Sequence, residues 1–308
     1  MAYGRGKSDM EDAMRPTTRL KQLLAKPGAV LAPGVADALN ARLVAKHGFE
    51  AVYMTGAGTT ATRLGMPDVG LLTMTEMVDN AGRIADASGL PLISDADTGY
   101  GGVLNVRRTI QCYERAGVAA VHLEDQVMPK RCGHLAGKQL VPVEEMVAKL
   151  KAAVDARIDP DFQIIARTDA IAVEGFDAAL ERAARYREAG ADILFVEAPS
   201  AAQLPEIAPR LKGAPLLYNL ATSGKTPFLA KDEIETLGFK LIIYPNWVML
   251  ASIRAASHVL QTLKDTGSIA SLTNDLPNFR EFFDLMGMQE VQALEAKYGV
   301  ADDARAKY

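Results

Sequence analysis

Eight short apolar runs, each followed by a stretch of helical periodicity, constrain this chain more than any other feature. The runs are AVLA (29–32), AVYM (51–54), PLIS (91–94), AAVHL (119–123), QIIA (163–166), ILFV (193–196), PLLY (215–218) and LIIY (241–244). Continuous apolar runs of this length suit strands buried on both faces, as in a parallel sheet wrapped by helices. Between them lie helical patterns such as VRRTIQCYERAG (106–117), EEMVAKLKAAVDAR (144–157) and FDAALERAARYREAG (176–190). In the last, Ala179, Ala183, Tyr186 and Ala189 share one face while Glu181, Arg185 and Glu188 lie on another. Gly117 and Gly190 stand where helices should stop. The alternation predicts a single (β/α)8 TIM-type barrel over residues 1–308. A doubly wound open sheet uses the same alternation, but the even strand count and the absence of a linker or composition break favour the barrel. Two segments fall outside it. Residues 1–20 read as an N-terminal arm ending near the Pro16-Thr17-Thr18 cap signal. A helical tail over about 247–300 is interrupted near Gly267-Ser268 and from Asn274 to Pro277. That is more helix than closure requires, so the extension from about 260 to 308 is expected to pack partly on a neighbouring subunit.

Composition narrows the function. The chain is 49% apolar and 23% charged, ordinary for a globular protein. A net charge of −4 and a pI near 5.7 give no footprint for nucleic acid or an anionic membrane. No segment has the uninterrupted apolar length of a membrane span, and the N-terminus lacks the apolar run of a signal peptide. Two cysteines, Cys112 and Cys132, cannot make a disulfide framework and cluster with no zinc-type ligands. A reducing cytoplasm is the expected setting.

In a barrel the chemistry collects where strands end. Past AVYM come Thr55, Gly56, Ala57 and Gly58; past PLIS come Asp95 and Asp97; past AAVHL, Glu124 and Asp125. Arg167, Thr168 and Asp169 follow QIIA, Glu197 follows ILFV, Asn219 follows PLLY, and Pro245-Asn246 follows LIIY. Polar loops and helix-capping acids explain some of this pattern. They do not explain acids, an arginine and an amide directly at the ends of buried runs, where an unpaired polar group costs roughly 2–7 kcal/mol. Asp95, Asp97 and Glu124 are hard oxygen ligands without soft partners, which suits Mg2+ (or Mn2+). Strand alternation would turn both aspartates toward one ion. Arg167 can grip a carboxylate, and the TGAG turn can bring backbone N–H groups close to an anion. The implied ligand is a small oxyacid. KRCGHLAGK (130–138) lies in a connection of about 20 residues, too long for a simple turn and of the length of active-site lids. Lys130, Arg131 and His134 around Cys132 give the thiol the setting of a proton donor, whereas Cys112 lies in a helical pattern as packing.

The motifs TGAG, GMPDVG, SDADTGYG, HLEDQVMPKRCGH, ARTDA and FVEAP, spread over about residues 28–260, resemble the isocitrate lyase/phosphoenolpyruvate mutase superfamily, in the lyase branch that carries KRCGH. The resemblance implies a barrel that assembles as a homotetramer, with its last helix exchanged between subunits, around a Mg2+-bound oxo or hydroxy carboxylate. It makes Asp97 the principal metal carboxylate, with Asp68, Asp95 and Glu124 acting through water. It gives Cys132 the role of lid acid, makes Tyr53 a group that helps take the substrate's hydroxyl proton, and places Glu197 near the bond being broken. Thr55, Gly56, Ala57, Arg167 and Asn219 would hold carboxylates, with Gly133 and His134 closing from the lid and Lys130 in the catalytic set. The reaction implied is retro-aldol or retro-Claisen cleavage of a dicarboxylate to an oxo acid such as pyruvate. Leu250 stands where tricarboxylate-cleaving relatives carry arginine, which favours 2,3-dimethylmalate or another 2-alkylmalate. Methylisocitrate, and oxaloacetate by hydrolysis, are the alternatives. A barrel that binds organic acids without turnover is the competing non-enzymatic reading.

Overall fold

Each apolar run forms a strand, and the strands sit side by side because both of their faces are apolar. The computed structural model describes residues 14–307 apart from Cys132, residues 134–136 and Ser223. The strands are β1 (Val30–Val35), β2 (Val52–Met54), β3 (Leu92–Asp95), β4 (Ala120–Glu124), β5 (Gln163–Thr168), β6 (Ile193–Val196), β7 (Leu217–Asn219) and β8 (Leu241–Tyr244). All pair in parallel in the order β6-β5-β4-β3-β2-β1-β8-β7. A bridge between Leu194 and Leu216 brings the two free edges together. Leu194 N–H donates to the Pro215 carbonyl there, at 3.0 Å. The sheet is thus a nearly closed barrel of the (β/α)8 type.

Alternation along each strand sorts its side chains between two apolar shells. Val52, Met54, Val121, Leu123 and Ile242 face the surrounding helices. Tyr53, Ala120, Ile165, Leu241 and Ile243 fill the barrel interior. The expected helices form at Val103–Arg115, Val143–Ala156 and Phe176–Glu188, and Ala179, Ala183 and Tyr186 are buried on the inner face of the last. Gly117 and Gly190 follow helix ends with φ of +82° and +105°, left-handed conformations that glycine adopts without steric cost.

Helix α1 (Pro16–Ala25) moves the arm's boundary. Its start at Pro16 suits a proline, and Leu20, Leu23 and Leu24 are buried in the lower barrel interior, so residues 16–20 belong to the barrel rather than to an arm. Thr17 Oγ1 and Thr18 Oγ1 donate to Asp159 and Asp161, each at 2.7 Å, which fixes α1 beside the entry to β5. After β8 the tail breaks where its glycines and prolines indicate: a helix over Trp247–Thr266, a left-handed Gly267, then short helices at Phe279–Leu285 and Met288–Lys297. The Trp247–Thr266 helix buries none of its 20 residues. Among the described residues no helix is long and apolar enough to cross a membrane.

Candidate active site

The parallel register aligns the polar strand ends. Asp95 pairs with His122, Glu124 with Arg167, and Arg167 with Phe195, on successive strands. A cavity at the C-terminal mouth of the barrel is lined by Tyr53, Thr55, Ala57, Asp68, Asp95, Glu124, Lys130, Gly133, Arg167, Glu197 and Asn219. These are eleven of the residues singled out in the sequence. Asp97 joins them through Lys130, whose ammonium lies 2.7 Å from Asp97 Oδ1 and 2.7 Å from each carboxylate oxygen of Asp68. Cys132 and His134 lie outside the described residues.

The two aspartates converge differently from the expected strand alternation. β3 ends at Asp95, and Asp97 sits in a turn with φ of +48°, a left-handed conformation that costs a non-glycine residue of order 1–3 kcal/mol. Asp97 N–H donates to Asp95 Oδ1 at 2.9 Å, and the Asp97 carbonyl accepts from Glu124 N–H at 2.9 Å. The strained turn is therefore held from both sides. Asp95 Oδ2 also accepts from Gly56 N–H at 3.2 Å, so both its oxygens carry backbone donors. A side chain at Gly56 would put Cβ 2.3 Å from that oxygen. Gly56 therefore anchors Asp95, rather than offering its N–H to substrate as the sequence suggested. In the same first turn, Gly58 N–H donates to Thr55 Oγ1, while Ala57 is the member of this turn that lines the cavity.

Burial sets the protonation of this layer. It pushes the Asp97 carboxyl up to about 6, against the pull of Lys130 and with help from Asp95 and Asp68. It pushes Glu124 well above the usual range despite Arg167. Burial also opposes the charge of Asp95, yet nearby positive groups, Lys130 and Arg167 among them, hold its pKa below the usual carboxylate value. Lys130 stays an ammonium, because the surrounding carboxylates outweigh its desolvation.

Arg167 is held rather than free. Its Nε and Nη2 donate to Asp169 at 2.9 and 3.1 Å, its Nη1 lies 3.3 Å from Glu124 Oε2, and its guanidinium stacks over Phe195 at 5.1 Å. Asn219 Nδ2 donates to both oxygens of Glu197, at 3.3 and 3.1 Å, so this amide orients Glu197 instead of pointing only at substrate. Gly133 lies directly above: a Cβ there would be 2.5 Å from Arg167 Nη2 and 2.6 Å from Glu197 Oε1. The segment that carries it is fastened at its base by an antiparallel bridge between Gln126 and Leu140, and Gln126 pairs its side-chain amide with the Arg131 backbone.

Several participants carried no role in the sequence reading. His122 is wholly buried, and its Nε2 is 2.9 Å from the Tyr53 hydroxyl. Burial lowers its pKa to about 4, so the ring is neutral, and burial keeps the proton on Tyr53 as well. His122 precedes Glu124 by two residues in HLE, and the same spacing links Phe195 to Glu197; period-two alternation could have found both. Asn246 lines the cavity and accepts from Thr55 Oγ1 at 3.1 Å. Leu250, expected to face a third substrate carboxylate, is 40% exposed and not among the lining residues. It falls on the Trp247–Thr266 helix, and the strand-eight side of the cavity is formed by Ile243, Pro245 and Asn246 instead.

A barrel with two aspartates in one turn, a buried Glu–Arg pair and a glycine-bearing lid matches the family model described as phosphoenolpyruvate phosphomutase over residues 20–264. The chain belongs to the phosphoenolpyruvate mutase/isocitrate lyase superfamily. Within that superfamily it is 46% identical to a 2,3-dimethylmalate lyase of Eubacterium barkeri, over 92% of this chain and 99% of the relative. It is 44% identical to a 2-methylisocitrate lyase of Aeropyrum pernix, over 93% and 92%. Among solved structures, an oxaloacetate acetylhydrolase bound to the inhibitor 3,3-difluorooxalacetate superposes with a TM-score of 0.89 at 38% identity, covering 93% of this chain and 98% of that one. A phosphonopyruvate hydrolase complexed with oxalate and Mg2+ does so with 0.83 at 29% identity, covering 92% and 99%. The relatives named as carbon–carbon lyases place this chain among such enzymes.

Among the described residues no three His, Cys, Asp or Glu side chains form a ready cation cage. The donor set nonetheless fits a divalent ion held by one carboxylate and water. Asp97 Oδ1 and Glu124 Oε1 are buried outside any aligned hydrogen bond. The Lys130 ammonium between Asp68 and Asp97 shows that this pocket stabilises positive charge. All the acceptors are hard oxygens, as Mg2+ prefers.

Proposed function

We propose that this superfamily member cleaves the C2–C3 bond of a 2,3-dialkylmalate such as 2,3-dimethylmalate, giving pyruvate and a monocarboxylate. The observation that carries this choice among lyase substrates is the inventory of cations. Among the described residues, Arg167 and Lys130 are the cations lining the cavity, and both already face carboxylates, so these residues offer a third substrate carboxylate no further counter-charge. An unpaired charge in a closed site costs several kcal/mol.

Asp97 would hold Mg2+ (or Mn2+), with Asp68, Asp95 and Glu124 reaching it through water. Asp95 suits the indirect role because backbone N–H groups occupy its oxygens. When bound, the ion supplies Lewis acidity to the substrate's α-oxygen. The chain's own groups do the rest. The Ala57 N–H, at the start of the Gly56–Leu64 helix, and the outward N–H groups of Arg167 receive the carboxylate beside C2. The Tyr53 hydroxyl, hydrogen-bonded to neutral His122, takes the α-hydroxyl proton as it gives its own to His122 Nε2, rather than acting as a phenolate. As C2–C3 breaks, the departing fragment is an enolate-like dianion. Glu197, oriented by Asn219, lies beside the breaking bond, and Cys132, with His134 in the same lid motif, delivers the proton that ends the fragment as a carboxylate. Binding without turnover is the reading this constellation disfavours, because it would not require a proton donor on the lid.

The test is a substrate panel of 2,3-dimethylmalate, other 2-alkylmalates, methylisocitrate and oxaloacetate, with coupled detection of pyruvate and direct detection of oxalate. The dialkylmalate should have a kcat/KM at least tenfold above methylisocitrate. The reverse order restores methylisocitrate, and release of oxalate from oxaloacetate as the fastest reaction restores the hydrolase alternative.

The reading extends to assembly. The Trp247–Thr266 helix presents Trp247, Ile253, Leu260 and Leu263 on its surface, and a second copy of this chain covering that face, within a homotetramer, would bury them. Light scattering after size exclusion checks this, and a monomer would remove it. The small number of cysteines keeps a cytoplasmic setting part of the same proposal.

A further inference from the structure

Lys138 lies at the far end of the segment that carries Gly133, yet its side chain is only 3% exposed. A buried ammonium needs partners, and among the described residues those of Lys138 lie at the site. It donates to the Gly133 carbonyl, and its Nζ lies 3.2 Å from Asp169 Oδ1. Asp169, itself fully buried, is the carboxylate that receives both Nε and Nη2 of Arg167. One ammonium thus joins the lid backbone, at the point where it touches Arg167 and Glu197, to the acid that aims Arg167. Asp169 is fixed from behind as well: its N–H donates to Asp125 Oδ1 at 3.0 Å, and Asp125 in turn accepts from Thr168 Oγ1 and Tyr186 at 2.7 and 2.8 Å. Asp169 is thus held from both sides, by Lys138 and Arg167 in front and by the Asp125 cluster behind.

We infer that Lys138 is a positioning residue: it latches Gly133 over the site and, through Asp169, couples the placement of Gly133 to the orientation of Arg167. Among the described residues, displacing Gly133 would leave the buried ammonium with Asp169, and loss of the ammonium would leave Asp169 balanced by Arg167. What the latch serves, the binding of a dicarboxylate, rests on the lyase reading above; the latch itself does not.

The experiment compares wild type with Lys138→Met, Asp169→Asn and the double variant by amide hydrogen exchange of the peptide spanning 127–138, with and without Mg2+ and oxalate. Lys138→Met should speed exchange of that peptide at least fivefold while strand peptides remain unchanged. It should weaken oxalate affinity by about tenfold, and on an alkylmalate raise KM by a similar factor. The double variant should be no worse than Asp169→Asn alone, because both substitutions break one chain of contacts. Lys138→Gln, which keeps an N–H for the Gly133 carbonyl but loses the charge, should fall between wild type and Lys138→Met, and it carries the test if Lys138→Met does not fold. Unchanged exchange in the variant that folds, or additive losses in the double variant, would overturn the latch. If wild type turns over no alkylmalate, the lyase reading fails, and exchange and oxalate affinity still decide the latch.

Discussion

The lower and upper halves of the barrel interior are built by the same strands, two residues apart, and have opposite chemistry. Climbing β4, the inward side chains run Ala120, His122, Glu124; on β3 they run Ile93 to Asp95, on β5 Ile165 to Arg167, and on β7 Leu217 to Asn219. Below, Leu20, Leu23 and Leu24 of α1 close the interior with apolar contacts. Above, buried carboxylates and cations balance one another at 2.7 to 3.3 Å. The lower layer contributes stability from burial alone. The upper layer keeps charges out of water, which is tolerable because carboxylates face cations across it. Substitutions in the two layers should therefore separate activity from stability.

The largest effect belongs to the upper layer. Asp97→Ala should eliminate divalent-dependent turnover and leave the circular-dichroism spectrum of the barrel unchanged; full activity in this variant, or after exhaustive chelation, removes the metal from the account. Next comes the lid. Cys132→Ser should lower kcat by about 10²–10⁴-fold, the usual loss for a missing general acid, with KM little changed, since binding rests on Arg167 and the Ala57 N–H. A folded variant with near-wild-type kcat would mean that this cysteine is not the acid.

The lower layer should show the converse. Leu20→Ala removes a fully buried side chain from the barrel floor and should destabilise the protein by about 2–5 kcal/mol in denaturant titrations, with kcat of the folded fraction unchanged. A large loss of kcat without loss of stability would erase the division between the layers.

The smallest effect is a pH dependence. Burial raises the Asp97 carboxyl to about 6 in the metal-free chain, above the ordinary aspartate value near 3.9. Because its folded pKa is the higher one, the metal-free fold holds a proton there that the unfolded chain has lost. Stability from this group is thus present below about pH 4 and withdrawn as pH rises to about 6. A cation binds only the ionised form, so apparent Mg2+ affinity should be level above about pH 6 and fall by one decade per unit below it. Calorimetric titration across that range reads the slope, and a flat profile would show that Asp97 does not exchange its proton for the ion.

The fold was legible because the lower layer and the helix-facing shell write themselves as continuous apolar runs: QIIA and LIIY state their burial on both faces. The helical tail was equally plain, since Gly267 marks its break. The burial of Leu20 in the barrel floor is not legible, because a single plug helix has no strand partner to reveal it. In the upper layer, the acids and Arg167 were visible as polar residues ending apolar runs. Their contacts were not. The left-handed turn at Asp97, the use of the Gly56 N–H by Asp95 and of Asn219 by Glu197 depend on how loops fold back, which periodicity does not encode. Leu250 shows the same limit in reverse: its distance from LIIY along the chain suggested the cavity, whereas the helix starting at Trp247 carries it to the surface.

The central claim is that the upper layer breaks a carbon–carbon bond and protonates the leaving fragment. NMR of the wild-type protein with 2,3-dimethylmalate and Mg2+ in D2O tests it most directly. The account predicts pyruvate and propionate in equal amounts, one newly introduced deuteron at the propionate α-carbon, and no reaction after chelation. Substrate that remains intact, or cleavage that proceeds unchanged without a divalent ion, would contradict it.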